Sequence, residues 1–286
     1  MSLAPTAELV AAAVAAGRAV PAFNVISLEH AEAIATGAEA ASSAALFQLS
    51  ENAIRYHGDR LAPLLAACRE IALASTTPLG IHLDHIEDLV LVDRVLELGP
   101  AAGIGSIMFD ASRRDYAANV ELTASVAARA HARGLWVEAE LGEVGGKDGA
   151  HAPGVRTDPA EAARFVAATG VDGLAVAVGS SHAMVERSAS IDLVLVTELA
   201  ASAGVPLVLH GSSGVPDVEI DRAVVAGIRK VNIGTALNVV WSAELRRMLA
   251  SLPDAVDPRR YTAAPRERMS ELVAQLCRVI SMGDAG

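Results

Sequence analysis

Eight short apolar runs recur along the chain, and each is followed by a longer segment with helical periodicity. Strands that read as continuous hydrophobic runs and alternate with helices are typical of a parallel sheet covered by helices. Eight such units in 286 residues favour a closed (β/α)8 barrel, or TIM barrel, over an open sheet. The predicted strands are Val20–Val25, Ala45–Leu49, Leu79–Leu83, Ser106–Phe109, Leu135–Glu140, Gly173–Ala177, Leu207–Leu209 and Lys230–Ile233.

The same periodicity predicts an extra helix before the first strand, Pro5–Ala16, and a C-terminal helical extension, Arg266–Ile280. No linker and no shift in composition marks a boundary, so residues 1–286 are predicted to form a single domain. The helices predicted after the successive strands are Leu28–Ala41, Asp59–Ala74, Glu87–Leu98, Asp115–Arg133, Pro159–Thr169, Ile191–Ala203, Pro216–Ala226 and Leu237–Leu252.

Charge and cysteine usage narrow the class of protein. The formal net charge of −11 argues against nucleic acid and anionic membrane surfaces as partners, because both attract basic proteins. Cys68 and Cys277 lie in apolar helical stretches, as core thiols of a reduced, intracellular protein do. Neither a signal peptide nor an apolar segment that could span a bilayer is evident, so we expect a cytoplasmic protein.

Polar residues gather at the C-terminal ends of the predicted strands, the face on which barrel enzymes carry their active sites. Because the strand ends of a barrel form one rim, we expect these side chains to converge on one site. The polar residues at these ends are Asn24, Gln48, Ser50, His82, Asp84, His85, Asp110, Glu138, Glu140, His182, His210, Asn232 and Thr235.

Four of the eight histidines belong to this rim. Three imidazoles that converge around an open position form the ligand set of a catalytic zinc site. We predict His85, His182 and His210 as Zn²⁺ ligands, and His82 as a histidine that supports them or packs in the core. Three other histidines fall on or beside predicted helices and are expected to be solvated, namely His30, His57 and His131.

Two strand–loop–helix elements with small residues follow strands seven and eight. The first contains Gly211 and Ser213, and the second contains Asn232, Gly234 and Thr235. Small residues let backbone N–H groups approach an anion, and the start of a helix adds positive potential. Ordinary tight turns would have the same sequence, but barrels often bind phosphate at these two loops, so we predict a phosphate site.

Six motifs in order resemble the class II, metal-dependent ketose-bisphosphate aldolases, which include the fructose- and tagatose-1,6-bisphosphate aldolases. The resemblance extends from about residue 20 to the C-terminus. It implies a TIM barrel, one catalytic Zn²⁺, dihydroxyacetone phosphate as donor, and a homodimer or homotetramer. The motifs are AFNV at 22–25, HLDH at 82–85, VEAELGEVGG at 137–146, GSSH at 179–182, LHGSSG at 209–214 and KVNIGT at 230–235.

By this resemblance, His85, His182 and His210 hold the zinc ion, and Glu140 can bind it in an alternative position. Asp84 matches the carboxylate that transfers the proton of the hydroxyl group derived from the aldehyde. Many members also take a monovalent cation beside the phosphate. The residues expected to bind the phosphate or the rest of the substrate are Asn24, Gln48, Ser50, Gly211, Ser213, Asn232, Gly234 and Thr235.

The residue types suit aldol cleavage, and the resemblance implies a ketose (bis)phosphate as substrate and a role in carbohydrate metabolism such as glycolysis. Cleaving a β-hydroxy ketone requires a group that removes the hydroxyl proton and a means of storing charge on the departing enediolate. A metal held by imidazoles stabilises that charge, and an adjacent carboxylate transfers the proton. Closure of the glycine-rich segment after strand five, residues 142–154, would exclude water from the carbanion.

Two departures from the family pattern concern the loops around the site. Family members commonly carry a glutamate in the glycine-rich loop as proton donor to the carbanion. That loop is one residue shorter here, which leaves Glu143 and Asp148 as candidate donors. The family's histidine that lies near the donor phosphate is normally followed by glycine and then lysine, whereas here His182 is followed by Ala and later by Arg187.

A third departure concerns the acceptor aldehyde. Glu51 and Asn52 replace the small residues expected near it. A carboxylate there would repel a second phosphate unless Arg55 or another arginine neutralises it. Whether the acceptor is phosphorylated, and whether its stereochemistry is of the fructose or the tagatose type, therefore stays open.

Two other functions stay open. A Schiff-base aldolase would need a buried lysine on an inward strand position, and Lys230 qualifies. A non-catalytic barrel that binds a sugar phosphate would explain the altered loop. An isomerase that acts on the same enediolate is a weaker alternative. Borohydride trapping would reveal a Schiff base, and a chelator would abolish zinc-dependent activity.

Overall fold

A computed structural model describes residues 2–141, 156–180 and 187–282. Within these residues, eight parallel strands pair in chain order and close into a barrel, which confirms the predicted TIM barrel. Each strand of such a barrel is buried on both faces, which is why the strands appear in the sequence as continuous hydrophobic runs. The strands are β1 Val20–Asn24, β2 Ala45–Ser50, β3 Leu79–Ile86, β4 Ser106–Phe109, β5 Trp136–Glu140, β6 Gly173–Ala175, β7 Leu207–Leu209 and β8 Ile228–Ile233.

Eleven α-helices are present in the described residues, most of them on the outside of the barrel. The helices are α1 Thr6–Ala15, α2 Leu28–Ala40, α3 Glu51–Tyr56, α4 Leu61–Ala74, α5 Leu89–Leu98, α6 Tyr116–His131, α7 Pro159–Thr169, α8 Leu193–Ser202, α9 Asp217–Ala226, α10 Thr235–Ser251 and α11 Arg259–Cys277. None of the helices in this part of the chain has the length and apolar character needed to cross a bilayer.

Two helices differ from the sequence prediction. Helix α3 was not expected, because six residues are too few to show a helical period; the Ser50 hydroxyl caps it by accepting the Ala53 N–H at 3.2 Å. Helix α11 begins at Arg259 rather than Arg266, and it passes through Pro265. A proline predicts a helix boundary, but packing against α2 and α10 keeps this helix continuous.

The barrel interior is layered. The lower layer is apolar, and Leu9 and Val10 of α1 pack against it at the N-terminal end. Above it lies a polar layer of four fully buried side chains. The members of the lower layer on the strands are Val20, Ala22, Leu46, Met108, Trp136, Ala175 and Val208. The polar layer consists of Gln48, His82, Glu138 and Lys230.

Strand β3 carries the backbone irregularity that shapes the site. Its pairing with β4 shifts register between Leu83 and Ile86, and His85 adopts a left-handed conformation with φ 48°. In a regular strand Asp84 and His85 would point to opposite faces. A bulge re-aims side chains, so both residues reach the cavity at the top of the barrel.

Two histidines expected to be solvated are not. Helices α10 and α11 cover α2, so His30 is buried with its ring 5.8 Å from that of Trp241. His57 is half-buried, and its Nε2 lies 2.7 Å from the carbonyl oxygen of Ile26. His131 is exposed, as expected.

The two cysteines behave as the composition indicated. Cys68 and Cys277 are buried and unbonded. Burial raises the pKa of each thiol to about 12, so neither is a thiolate at neutral pH.

Candidate active site

A cavity of about 420 Å³ opens at the C-terminal ends of the strands. It brings together most of the residues that the sequence singled out for chemistry, which come from five strands and the loops after them. The predicted residues that line it are Asn24, Ser50, Asp84, His85, His210, Gly211, Ser213, Asn232, Gly234 and Thr235.

Two of the predicted zinc ligands face each other in this cavity. His85 Nε2 and His210 Nδ1 are 3.1 Å apart, and their rings are nearly perpendicular. A carboxylate oxygen of Glu140 joins them, so that all three ligand atoms lie within 4.8 Å of one another. Two imidazole nitrogens and a carboxylate oxygen are donors that Zn²⁺ prefers, so these residues fit that ion.

Asp110 orients His85. The imidazole Nδ1 donates to Asp110 Oδ2 at 2.7 Å, which turns Nε2 toward the cavity. Ser112 supports Asp110, since its N–H and its hydroxyl both donate to Oδ1, at 3.0 and 2.7 Å. Burial lowers the pKa of His85, but Asp84, Asp110 and Glu140 outweigh it and raise the value to about 10.

Glu138 orients His210 in the same way. His210 Nε2 donates to Glu138 Oε1 at 2.8 Å, which turns Nδ1 toward His85. The other oxygen, Glu138 Oε2, accepts from Lys230 Nζ at 2.8 Å. All of these groups except His85 are completely buried, so the Glu138 carboxylate and the Lys230 ammonium compensate each other inside the barrel.

Asp84 lies between two amides at the cavity wall. Asn24 Nδ2 is 3.5 Å from one carboxylate oxygen and Asn232 Nδ2 is 3.4 Å from the other. Burial raises the pKa of Asp84, while His85 and Lys230 lower it, and the net direction is upward. A carboxylate whose pKa is raised toward neutrality is suited to exchange a proton with substrate.

Gln48 and Lys230 lie beneath the cavity and do not line it. Gln48 donates to Asn24 Oδ1 at 2.8 Å and accepts from Lys230 Nζ at 3.0 Å, so it supports Asn24 instead of touching substrate as predicted. Lys230 has three acceptors for its three N–H bonds, on Gln48, Glu138 and Asn232. An ammonium held in this way is a poor Schiff-base nucleophile.

Both predicted phosphate loops line the cavity side by side. Gly211 adopts φ 65°, a left-handed conformation that glycine tolerates best, before a short 3-10 turn that contains Ser213. Helix α10 begins at Thr235, and the residue before it, Gly234, has no side chain with which to cap the helix. Ser213 Oγ accepts the N–H of Ala236 at 3.0 Å, which joins the two loops. The arrangement gives an anion access to a helix N-terminus.

Glu51 does not line the cavity, and Arg55, the arginine that the sequence offered to neutralise its carboxylate, pairs with it. Its Oε2 accepts the backbone N–H groups of Glu87 and Asp88, at 2.7 and 2.9 Å, and its other oxygen pairs with Arg55. The next residue, Asn52, does line the cavity. Glu51 therefore anchors the loop after β3.

Sequence reasoning missed several residues of the site. Asp110 and Glu138 were recognised only as polar strand ends, although Glu138 lies two residues before Glu140 and so shares its strand face. Tyr56 and Asn238 line the cavity from helices. Tyr56 lies one helical turn after Asn52 and Asn238 lies one turn after Thr235, and that spacing could have identified them.

Some predicted residues lie outside the described parts of the chain: the third zinc ligand His182, the candidate proton donors Glu143 and Asp148, and the glycine-rich loop 142–154. Arg187, the first described residue after His182, donates to the Val215 carbonyl at 2.9 Å and pairs with Asp217. It does not line the cavity.

Comparison with known proteins agrees with this geometry. Residues 4–285 match the model of the family described as fructose-bisphosphate aldolase class-II. The YdjI aldolase from Escherichia coli K12 is 27% identical with a TM-score of 0.82, and the match covers 98% of each chain. A Coccidioides immitis protein assigned as a fructose-1,6-bisphosphate aldolase is 31% identical with a TM-score of 0.82, over 96% of this chain and 95% of that one.

A third structure, the fructose-bisphosphate aldolase of Campylobacter jejuni, shares the fold at 20% identity and a TM-score of 0.80, over 96% of this chain and 93% of that one. The family match covers nearly the whole chain and includes the cavity residues described above. The chain therefore belongs to the class II fructose-bisphosphate aldolase family and is an aldolase, a lyase that acts on a carbon–carbon bond.

Proposed function

We propose that this enzyme reversibly cleaves a ketose phosphate into dihydroxyacetone phosphate and an aldehyde, and that it requires zinc. One observation carries the proposal: His85 and His210 face each other at 3.1 Å in the cavity that Asp84 and both small-residue loops also line. This combination offers a metal position, a proton-transfer group and a phosphate position within reach of one small substrate.

His85 and His210 would hold the zinc ion together with His182, and Glu140 would hold it in an alternative position. When bound, the ion supplies a Lewis acid that polarises the ketose carbonyl. Asp110 and Glu138 keep the two imidazoles in the tautomers that present Nε2 of His85 and Nδ1 of His210.

Asp84 would take the proton of the hydroxyl group next to the scissile bond. As that carbon becomes the aldehyde, the bonding electron pair moves to the donor carbon, which then takes a proton from Glu143 or Asp148. Asn24 and Asn232 hold the Asp84 carboxylate in place. In condensation the same groups act in reverse, and Asp84 returns its proton to the new hydroxyl group.

The phosphate of the donor half would bind at Gly211, Ser213, Gly234 and Thr235, where backbone N–H groups and the start of α10 are accessible. A monovalent cation beside this phosphate, a homodimer or homotetramer, a cytoplasmic location and a role in a route such as glycolysis are further parts of the proposal. The location follows from the cysteine usage described above, and the other three follow from the family resemblance.

A product screen tests the proposal. Dihydroxyacetone phosphate is incubated with phosphorylated and unphosphorylated aldehydes, with and without a chelator, and zinc is then restored. We expect condensation that the chelator abolishes and zinc recovers. The proposal fails if no aldehyde gives chelator-sensitive condensation. If borohydride traps the substrate on Lys230, the enzyme is a Schiff-base aldolase instead.

A further inference from the structure

Lys230 is a buried cation inside the barrel that the proposed mechanism does not use directly. Its Nζ donates to oxygens of three side chains: Gln48 at 3.0 Å, Glu138 at 2.8 Å and Asn232 at 2.7 Å. An ammonium has three N–H donors and no acceptor, so each of these neighbours has to present an oxygen to it. Lys230 therefore sets the direction of the hydrogen bonds around it.

This direction matters for Gln48, because an amide accepts at its oxygen and donates at its NH2 group. With Oε1 turned to Lys230, Gln48 donates from Nε2 to Asn24 Oδ1 at 2.8 Å. The Asn24 amide is oriented in turn, and its Nδ2 lies 3.5 Å from Asp84 Oδ2. A first line of hydrogen bonds thus runs from the ammonium through two amides to one oxygen of the carboxylate.

Asn232 forms a second and shorter line. Its Oδ1 accepts from Lys230, and its Nδ2 lies 3.4 Å from Asp84 Oδ1. The two lines end on different oxygens of the same buried carboxylate, and each ends with an N–H group. If an amide in either line were turned over, an oxygen would face the negative charge of Asp84 and repel it. The position of Asp84 therefore depends on which way the amides point.

We propose that Lys230 is a positioning residue for proton transfer: by donating to Gln48 and Asn232, it keeps both amide lines directed at Asp84. Two N–H groups then hold the carboxylate in the orientation that receives the hydroxyl proton of the substrate. The inference rests on the proposed function, in which Asp84 takes that proton. Lys230 acts through the amides from beneath the cavity and does not touch the substrate.

Two reactions of the same enzyme separate this role from a general loss of structure. Condensation requires Asp84 to give a proton to the new hydroxyl group. Exchange of a hydroxymethyl hydrogen of dihydroxyacetone phosphate with D₂O requires the metal and a loop carboxylate, but in the proposed mechanism it does not require Asp84. Damage to the fold would lower both rates together, whereas loss of the Asp84 orientation lowers condensation alone. The ratio of the two rates is therefore the measurement.

Lys230→Met keeps the length of the side chain and removes its N–H donors. The full-length enzyme is assayed at saturating zinc, with dihydroxyacetone phosphate and the best aldehyde of the product screen. We expect kcat for condensation to fall by about 10- to 100-fold, as it does when a reacting group is misplaced. Exchange in D₂O, followed by ¹H NMR, should stay within about twofold of the wild-type rate.

A second variant guards against misfolding, because Lys230→Met leaves the buried Glu138 charge without its partner. Lys230→Met combined with Glu138→Gln removes both charges, and the remaining amide oxygen accepts from His210 alone. We expect the same selective loss of condensation in this double variant, because the amides of Gln48 and Asn232 again lack their donor.

Two further variants locate the effect on the amide lines. Gln48→Met interrupts the first line only and should give a smaller loss of condensation, again without loss of exchange. Ser106→Ala is the control, since it removes a fully buried hydroxyl that contacts Thr6 and His82 and belongs to neither line. It should leave the ratio unchanged.

The inference is overturned if both Lys230 variants keep the wild-type ratio, or if exchange falls as far as condensation at saturating zinc. In either case the aldolase proposal stands as long as the wild-type enzyme shows chelator-sensitive condensation. If the wild-type enzyme shows none, the proposed function itself fails and this inference falls with it.

Discussion

At the scale of single residues, the site depends on groups that touch no substrate. His85 has a backbone conformation that costs a non-glycine residue about 1–3 kcal/mol, and such strain persists only where neighbours enforce it. Its hydrogen bond to Asp110 and the shifted register of β3 supply that enforcement. Glu138, which is itself held by Lys230, likewise fixes the orientation of the His210 ring.

Asp84 provides the most direct test at this scale. Asp84→Asn keeps the size of the side chain and can accept from only one of Asn24 and Asn232, and it removes the proton acceptor. We expect kcat to fall by about 10²- to 10⁴-fold, the usual contribution of general acid–base catalysis, with zinc content unchanged. Turnover assays combined with metal analysis would measure both. Near-normal turnover in a zinc-loaded variant would refute the role of Asp84.

Glu138→Gln tests how the metal ligand is held. The substitution removes the charge that His210 and Lys230 share and leaves one acceptor oxygen, which cannot accept from both, so the tautomer of the imidazole is no longer fixed. We expect zinc affinity to fall by about 10- to 100-fold, the range for such supporting contacts. Competition against a chromophoric chelator measures it, with Glu70→Gln on the surface as control. An unchanged affinity would mean that Glu138 only fills space.

At the scale of elements, α3 links the cavity to the loop after β3 through Glu51. Glu51→Ala leaves the N–H groups of Glu87 and Asp88 without their acceptor, so we expect a loss of about 2–4 kcal/mol in the free energy of unfolding. Arg55→Ala removes only an exposed partner and should cost less than about 1 kcal/mol. Denaturant unfolding compares the two. Similar losses would contradict the anchoring role of Glu51.

The elements also show where sequence reasoning works. The hydrophobic runs predicted β4 and β7 with the observed bounds, because a fully buried strand has a strong and simple pattern. The bulge that turns His85 into the cavity could not be predicted, since alternation carries no signal for a local register shift. Likewise, the bonds from the backbone N–H groups of Glu87 and Asp88 to Glu51 could not be predicted, because these residues are distant from Glu51 in sequence.

At the scale of the whole molecule, an acidic protein with a formal net charge of −11 binds an anion only if the site is locally favourable. Two features of the cavity would attract an anion: the backbone N–H groups of the loops after β7 and β8, and a metal ion that His85, His210 and Glu140 could hold. Beneath them, the charges of Glu138 and Lys230 compensate each other. Strand-end polarity and the two small-residue loops together predicted ten of the fifteen described residues that line the cavity, because a barrel collects its strand ends and the loops after them on one rim. The helix residues Tyr56 and Asn238 were missed because that rule concerns strands and the loops after them.

The buried layer makes the stability of the whole molecule sensitive to acid. Burial lowers the pKa of His82 well below its ordinary value, and Lys230 lowers it further. In the unfolded chain His82 is protonated below about pH 6.5, whereas in the folded chain it stays neutral to a much lower pH. The free energy of unfolding is therefore fully retained above pH 6.5 and decreases as the pH falls below that value. We expect His82 to contribute a slope of about 1.4 kcal/mol per pH unit below that value.

Denaturant unfolding between pH 7 and pH 5 measures this contribution. His82→Asn retains a hydrogen-bonding group near Ser106 and should flatten the pH dependence. His131→Asn removes an exposed histidine that lies outside the buried layer, and we expect it to keep most of the wild-type slope. If His82→Asn has the same slope as the wild-type protein, the acid sensitivity arises elsewhere.

The central claim is that this cavity activates dihydroxyacetone phosphate through a bound metal, and proton exchange tests it without knowledge of the acceptor. In D₂O with no aldehyde present, ¹H NMR follows the hydroxymethyl hydrogens of dihydroxyacetone phosphate. We predict that the zinc-loaded enzyme exchanges one of them, that a chelator stops the exchange, and that no isomeric triose phosphate accumulates. Absence of exchange in the zinc-loaded enzyme, or exchange that persists after the metal is removed, would contradict the claim.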